Sequence, residues 1–298
     1  MCGIVGLFLK DKSLEPQLGA LLSEMLVTMS DRGPDSAGIA IYGSGKDKWS
    51  KVTLQSRAPD ADFANLDKEI ANHLGCDASL RQIDTHAVLN IPADRVTEVR
   101  EALAALRPDV KIMSAGEVIE IYKEVGLPRD VAARFDIAGM AGTHGIGHTR
   151  MATESAVTTM GAHPFSTGAD QCLVHNGSLS NHSSLRRKLK YNGVHVETDN
   201  DSEVAAAYLT YKMGQGASLG EALETGLNEL DGFFTFVVGT RDGFGVLRDP
   251  IACKPAVMAE TDRYVAFGSE YRALVNLPDI DNARVWEPEP ATVYFWKH

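Results

Sequence analysis

The chain opens MCGIVGLF, an apolar run that begins at its second residue. Chain ends ordinarily fray and carry polar side chains. A run of Ile4, Val5, Leu7 and Phe8 so near the start therefore demands that the first residues be built into an interior, and a short apolar stretch bounded by charge suits a buried strand. The same run fixes Cys2 and Gly3 at the mouth of that strand. Removal of Met1 is expected, because a small residue follows it. Cys2 would then carry a thiol and a free α-amine on one residue, a nucleophile with its base beside it. Gly3 lets the backbone turn closely around such a centre. Taken alone, a second-position cysteine also reads simply as a small buried residue.

The 298 residues, 44% hydrophobic and 23% charged, are enough for a sizeable core. A formal net charge of -11 argues against nucleic acid and against an anionic membrane surface. The basic stretch Arg186 to Lys190 reads as the solvated side of a helix. No segment reaches the roughly 20 apolar residues of a membrane helix, and no basic region precedes an apolar one at the N-terminus; a cytoplasmic protein is expected. Cys2, Cys76, Cys172 and Cys253 form no cluster, so free thiols are expected, with Cys76, Cys172 and Cys253 in the core. His144 and His148 would share one face of a strand, but no third ligand has suitable spacing, and no metal site is expected.

Pro16 to Ser30 places Leu18, Leu21, Leu22, Met25, Leu26 and Met29 on one helical face, with Pro16 in the first turn. SDRGPDSAG is a loop by composition, GIAIY resumes as a strand, and WSKVTL suits the next strand of the same sheet. From about Ser56 to Gly142 the texture changes. HAVLNI, ADRVTEVREALAALR and VKIMSA read as strand, helix and strand, and EVIEIYKEVG and PRDVAARF as helices, together a small α/β subdomain inserted at 56–142. Beyond it come strands ending in GIGHTR and CLVHNG, then three helices. FFTFVVGT, GFGVLR, PAVMAE, YVAFGS and ATVYFW close the chain as short strands joined by tight turns, hence antiparallel. Two packed sheets with helices outside are expected.

Four further stretches occur in order after Cys2: DRGPDSAGIA (31–40), GIGHTRMAT (145–153), HNG (175–177) and TDNDSE (198–203). Singly each has a plainer reading: HNG suits a turn, and an isolated Arg150 or Asp201 suits a structural ion pair. Together with Cys2 they resemble the glutaminase domain of class II glutamine amidotransferases, members of the N-terminal nucleophile hydrolases. The resemblance covers residues 1–298 apart from the insert. It implies an α+β fold, a four-layer αββα sandwich of two mostly antiparallel sheets. It also implies glutamine attacked at its side-chain amide by Cys2. Arg150 is similar to the family's clamp for the substrate carboxylate, a task a guanidinium fork fits well. Asp201 would accept the substrate ammonium, and Thr153 would line the pocket. Asn176 and Gly177 would form the oxyanion hole, and Arg32 would brace the N-terminal loop. His163 matches a family position near the site.

Met151 and Glu154 depart from the aromatic residue and histidine that many members carry there. The sequence also has no SGGxDS-like ATP loop, phosphosugar isomerase, phosphoribosyl diphosphate loop or flavin region. By resemblance the chain is similar to stand-alone glutaminase subunits related to glutamate synthase, such as the amidotransferase-like subunit of N-methylglutamate synthase. That implies a hetero-oligomer in which a separate synthase subunit receives ammonia, with flavin and iron–sulfur cofactors on partner subunits and none on this chain. On residues alone two alternatives stay open. One is a non-catalytic module that senses glutamine or glutamate. The other is a hydrolase of another amide, against which Arg150 and Asp201 argue.

Overall fold

The computed structural model describes residues 2–152 and 156–298. The chain starts with β1 (Gly3–Leu9), α1 (Leu18–Thr28) and β2 (Ser36–Tyr42). A second group follows: β3 (Trp49–Gln55), α2 (Pro59–Asp62), α3 (Leu66–Leu74), β4 (Ser79–Ile83), β5 (His86–Pro92), α4 (Val96–Leu106) and β6 (Lys111–Gly116). Next come β7 (Ile119–Val125), α5 (Pro128–Arg134), β8 (His144–Arg150), β9 (Phe165–Gly168) and β10 (Gln171–Leu179), then α6 (His182–Tyr191), α7 (Asp201–Gly214) and α8 (Leu219–Glu229). The chain closes with β11 (Gly232–Thr240), β12 (Gly243–Arg248), β13 (Val257–Glu260), β14 (Tyr264–Gly268), β15 (Arg284–Trp286) and β16 (Thr292–Lys297).

Two antiparallel sheets form the body. One runs β15-β13-β14-β1-β8-β2-β7 and the other β16-β12-β11-β10-β9. Strand β1 shows why the opening run is apolar throughout. Val5, Leu7 and Leu9 point to the α1 side, where they meet Leu18, Leu22, Met25 and Leu26. Ile4 and Phe8 point the other way, into a layer shared with Val174, Val237 and Phe244 of the second sheet. Both faces of β1 are therefore buried. On the far side of the second sheet, α6, α7 and α8 cover Leu173, Phe234, Phe236 and Leu247. The order is helix, sheet, sheet, helix, an α+β fold of the N-terminal nucleophile hydrolase type. Two of these helices are capped at their starts: Ser218 and Glu221 exchange hydrogen bonds at α8, and Asn200 accepts from the Ser202 amide at α7.

The third sheet, β4-β5-β3-β6, is antiparallel throughout, and α3 and α4 cover one face of it. This is a βαββαβ unit of the split type. It takes in residues 49–116, which moves both bounds of the 56–142 insert. WSKVTL is its first strand rather than a strand of the body. EVIEIYKEVG, expected as a helix, is β7, the edge strand of the seven-stranded sheet. Its Val118, Ile119, Ile121 and Tyr122 are β-branched or aromatic, and period two decides over length in so short a window. Pro16 lies in a 3-10 turn over Lys12–Gln17, ahead of α1 rather than in its first turn. Of the three cysteines expected in the core only Cys172 is fully buried; Cys253 is exposed and Cys76 half-buried.

Candidate active site

The site forms where β1, β8 and β10 bring their ends together. Gly3 pairs with Thr149, one residue before Arg150. A side chain at Gly3 would lie 2.7 Å from Thr149 Oγ1 and 2.8 Å from Met29 Cβ, so only glycine lets the strand end sit there. Cys2 is partly exposed, and its Sγ lies 3.9 Å from the Met151 carbonyl. The Cys2 carbonyl accepts two hydrogen bonds, from Arg32 Nε at 2.9 Å and from Asn176 Nδ2 at 3.3 Å. Arg32 is itself buried and pairs with Glu270 at 2.5 Å. The Arg32 hydrogen bond holds the Glu270 carboxyl below its usual range, with Arg272 adding to the effect. Two residues further along, Ile4 and Ser269 exchange hydrogen bonds of 2.9 Å in both directions, which pins the first strand.

HNG is no turn. Asn176 and Gly177 lie within β10, opposite Thr235 and Phe234 of β11. Gly177 adopts φ 154°, and a Cβ there would stand 2.0 Å from the Phe233 carbonyl oxygen. The backbone thus takes a path reserved for glycine beside Asn176. Asp201 opens α7; its Oδ2 accepts the Leu179 amide at 2.9 Å, and its Oδ1 stands 3.7 Å from His175 Nδ1. Glu203, two residues on, accepts the Glu197 and Thr198 amides and ties the preceding loop to the same helix. Arg150 ends β8, is buried, and donates from Nη1 to the Ala156 carbonyl at 3.2 Å. Thr153 and Glu154 lie outside the described residues.

Beneath these groups lie neutral histidines. His148 Nε2 meets the His175 carbonyl at 3.1 Å, and its ring stacks on His163 with centroids 4.1 Å apart. Burial pushes His148 down to about 3, and pushes His163 well below the imidazole range, the neighbouring rings adding to the effect. Burial also lowers His175, against the opposing pull of Asp201. His144 shares the face of His148 but bonds the Thr240 carbonyl and stacks on Tyr42, so the two serve separate packing tasks. Among the described residues no group of His, Cys, Asp and Glu side chains could hold a metal.

The sequence reading missed supports outside the quoted roles. Asp35 accepts the Ala152 amide at 2.7 Å, while its own amide donates to the Arg150 carbonyl at 3.1 Å, so it fixes the turn after β8. Asp35 lies inside DRGPDSAG, where an Asp between Pro and Ser was a usable signal. Glu270 and Ser269 reach the site from a distant strand end, and nothing local marks them.

This fold and this arrangement of motifs define the class II glutamine amidotransferases, and the chain belongs to that family. A family model described as a glutamine amidotransferase domain matches residues 148–276. The glutamine amidotransferase-like protein GlxB of Rhizobium meliloti is 70% identical over 100% of this chain and 99% of its own length. A putative glutamine amidotransferase of Methanothermobacter thermautotrophicus is 34% identical over 99% of each chain. Among solved structures, the glutamine phosphoribosylpyrophosphate amidotransferase of B. subtilis shares the fold, with a TM-score of 0.62 at 18% identity. That likeness covers 99% of this chain and 47% of the other, so this chain spans about half that enzyme's length. No helix among the described residues is long and apolar enough to cross a membrane.

Proposed function

We propose that the protein is a glutaminase subunit that hydrolyses the side-chain amide of L-glutamine and passes ammonia to a synthase on a separate subunit. The observation that carries this reading is the seating of Cys2: its carbonyl lies 3.3 Å from Asn176 Nδ2, beside the glycine-only path at Gly177. A side-chain amide has two N–H donors. One meets the Cys2 carbonyl, and the other serves the oxyanion that forms on the substrate's amide oxygen as Sγ adds to the amide carbon, together with the Gly177 amide.

Arg150 holds the substrate α-carboxylate, Asp201 accepts its α-ammonium, and Thr153 lines the pocket. With Met1 removed, the Cys2 α-amine takes the thiol proton as Sγ bonds to the amide carbon. The oxyanion collapses as that proton passes to the leaving nitrogen, the C–N bond breaks, and ammonia departs, leaving a γ-glutamyl thioester. Water adds to the thioester carbonyl, the C–S bond breaks, and glutamate leaves with the thiol restored. Oxyanion-hole donors of this kind are worth about 3 kcal/mol of barrier each.

The synthase-subunit context, of glutamate-synthase or N-methylglutamate-synthase type, rests on the resemblance of the motifs, and any flavin or iron–sulfur chemistry belongs to those partners. The four cysteines, all free thiols here, accord with a cytoplasmic setting. Intact-mass analysis before and after an electrophilic glutamine analogue tests the reading. The expected result is a chain lacking Met1 that gains one adduct, and no adduct in Cys2→Ala. A processed chain without an adduct, even with its partner subunits present, would overturn it.

A further inference from the structure

Against the loop that follows Arg150 lies a buried cation that the site as described does not use. Lys123 stands on β7 with its side chain 3% exposed. Its Nζ donates to three carbonyls of one loop: Ala162 at 2.8 Å, Pro164 at 3.2 Å and Met160 at 3.4 Å. Three donors on an ammonium meet three acceptors, so its hydrogen-bonding capacity is filled. The ammonium also lies 4.6 Å from the Phe165 ring centroid, on the residue that begins β9. Burial lowers its pKa to about 8, with Glu203 and Glu197 opposing.

The next residue holds the same loop. Glu124 accepts the Thr159 hydroxyl in a short hydrogen bond and the Thr85 hydroxyl at 3.2 Å. Consecutive strand residues leave on opposite faces, so the edge strand β7 clasps the loop from both sides. The loop's start in turn touches the substrate end of the site, since the Ala156 carbonyl accepts from Arg150 Nη1 at 3.2 Å. A buried lysine is costly unless its hydrogen bonds are satisfied. Packing alone would be served as well by an apolar side chain, whereas three convergent carbonyls require a donor.

We infer that Lys123 is a positioning residue: by gathering the 160–164 carbonyls it sets the loop against which Arg150 is held, and so sets affinity for the glutamine α-carboxylate without touching the substrate. The inference rests on the glutaminase reading above and adds the means by which the clamp is held. The nucleophile side has supports of its own, Cys2, Arg32 and Asn176 being fixed through β1, β10 and Glu270, and it meets the loop through the His163–His148 stack.

The test is covalent trapping of the full chain by an electrophilic glutamine analogue, with KI and kinact measured separately and adducts located at Cys2 by peptide mass. Iodoacetamide, which carries no amino-acid group, reports the thiol alone. In Lys123→Gln, KI should rise about 10-fold or more while kinact and the iodoacetamide rate stay within about 2-fold of wild type. Lys123→Arg, which keeps the charge and donors, should recover most of the loss. A folded Lys123→Gln with unchanged KI overturns the inference, as does a parallel fall of KI-independent rate and iodoacetamide rate, which marks a general structural role. If Lys123→Gln does not fold, Thr159→Val carries the same test: a rise in KI of about 3-fold supports the inference and an unchanged KI overturns it. A wild-type chain alkylated by iodoacetamide yet untouched by the analogue overturns the glutaminase reading instead, and the inference falls with it.

Discussion

The two sides of the Cys2 cleft are held by different means. On the nucleophile side the backbone does the holding. Gly3 is laddered to Thr149, and the Cys2 carbonyl is gripped by Arg32 and Asn176. On the other side, the described residues from Ala152 to Pro164 contain no strand. Besides two bonds within the loop, donated by the Gly161 and Ala162 amides, they are held by side chains sent from elsewhere: Asp35 to Ala152, Glu124 to Thr159, and Lys123 to the carbonyls at 160, 162 and 164. A ladder cannot loosen without unpairing a strand, whereas a tether can be lengthened one side chain at a time. If the proposed roles of Cys2 and Arg150 hold, the contrast makes reactivity and substrate affinity separable, the first built into the sheet and the second hung from it.

Removing the nucleophile makes the sharpest break. Cys2→Ala should abolish trapping and glutamine turnover, while the melting curve changes by no more than about 0.5 kcal/mol, because the side chain is only partly buried. Full turnover in that variant would end the proposed mechanism. Gly177→Ala comes next, since its new Cβ would stand 2.0 Å from the Phe233 oxygen. The strand must shift, and misplacing one oxyanion donor should lower kinact by about 10²- to 10³-fold. Strain at such a backbone position adds about 1–3 kcal/mol of destabilisation, readable in urea. KI should hold nearly constant, which distinguishes this side from the Lys123 side.

The same division governs what the sequence disclosed. The body was legible because β1, β11 and β12 send apolar residues to both faces, and because α1 carries its apolar residues at helical spacing. The nucleophile side was legible because its residues fall in short motifs whose glycines are sterically required, Gly3 and Gly177 among them. EVIEIYKEVG was misread because Glu120, Lys123 and Glu124 look like a solvated helical face, yet their charges are spent inward: Glu120 on Lys51 and Arg81, Lys123 on loop carbonyls. A buried charge paired across the fold has no local signature. WSKVTL was assigned to the wrong sheet for a related reason, since alternation announces a strand but not its partner, and β3 pairs with β5 and β6 more than thirty residues away. The roles of Cys2, Arg150, Thr153, Asn176, Gly177 and Asp201 remain proposals.

Acid acts on buried histidines spread through the molecule. Burial holds His86, His144 and His148 at about 3, against about 6.5 in an unfolded chain. The unfolded chain therefore binds more protons below pH 6.5, and stability must fall as pH drops from there toward 3, by up to about 1.4 kcal/mol per pH unit per ring. By pH 5 each ring should cost about 2 kcal/mol relative to neutral pH. Urea midpoints at pH 7 and pH 5 check this, and His144→Phe should remove one ring's share. A midpoint that does not move with pH would mean that these rings are open to protons in the folded state.

The smallest effect asks where the tethered side draws its support. Thr85 lies in the β4–β5 turn of the 49–116 unit, and its hydroxyl shares Glu124 with Thr159. Thr85→Val removes one donor from a carboxylate that keeps Thr159, the Val125 amide and Arg134 at 3.8 Å. A well-formed hydroxyl bond to a carboxylate is worth about 1.5–3 kcal/mol; this one is long, at 3.2 Å, and only a small part of it reaches the loop. KI for the glutamine analogue should therefore rise about 2-fold, well short of the change in Lys123→Gln, with kinact unaltered. If Thr85→Val instead matched Lys123→Gln, the loop would answer to the βαββαβ unit rather than to the body's edge strand. That unit would then govern glutamine affinity, and the two sides of the cleft would belong to two different parts of the molecule.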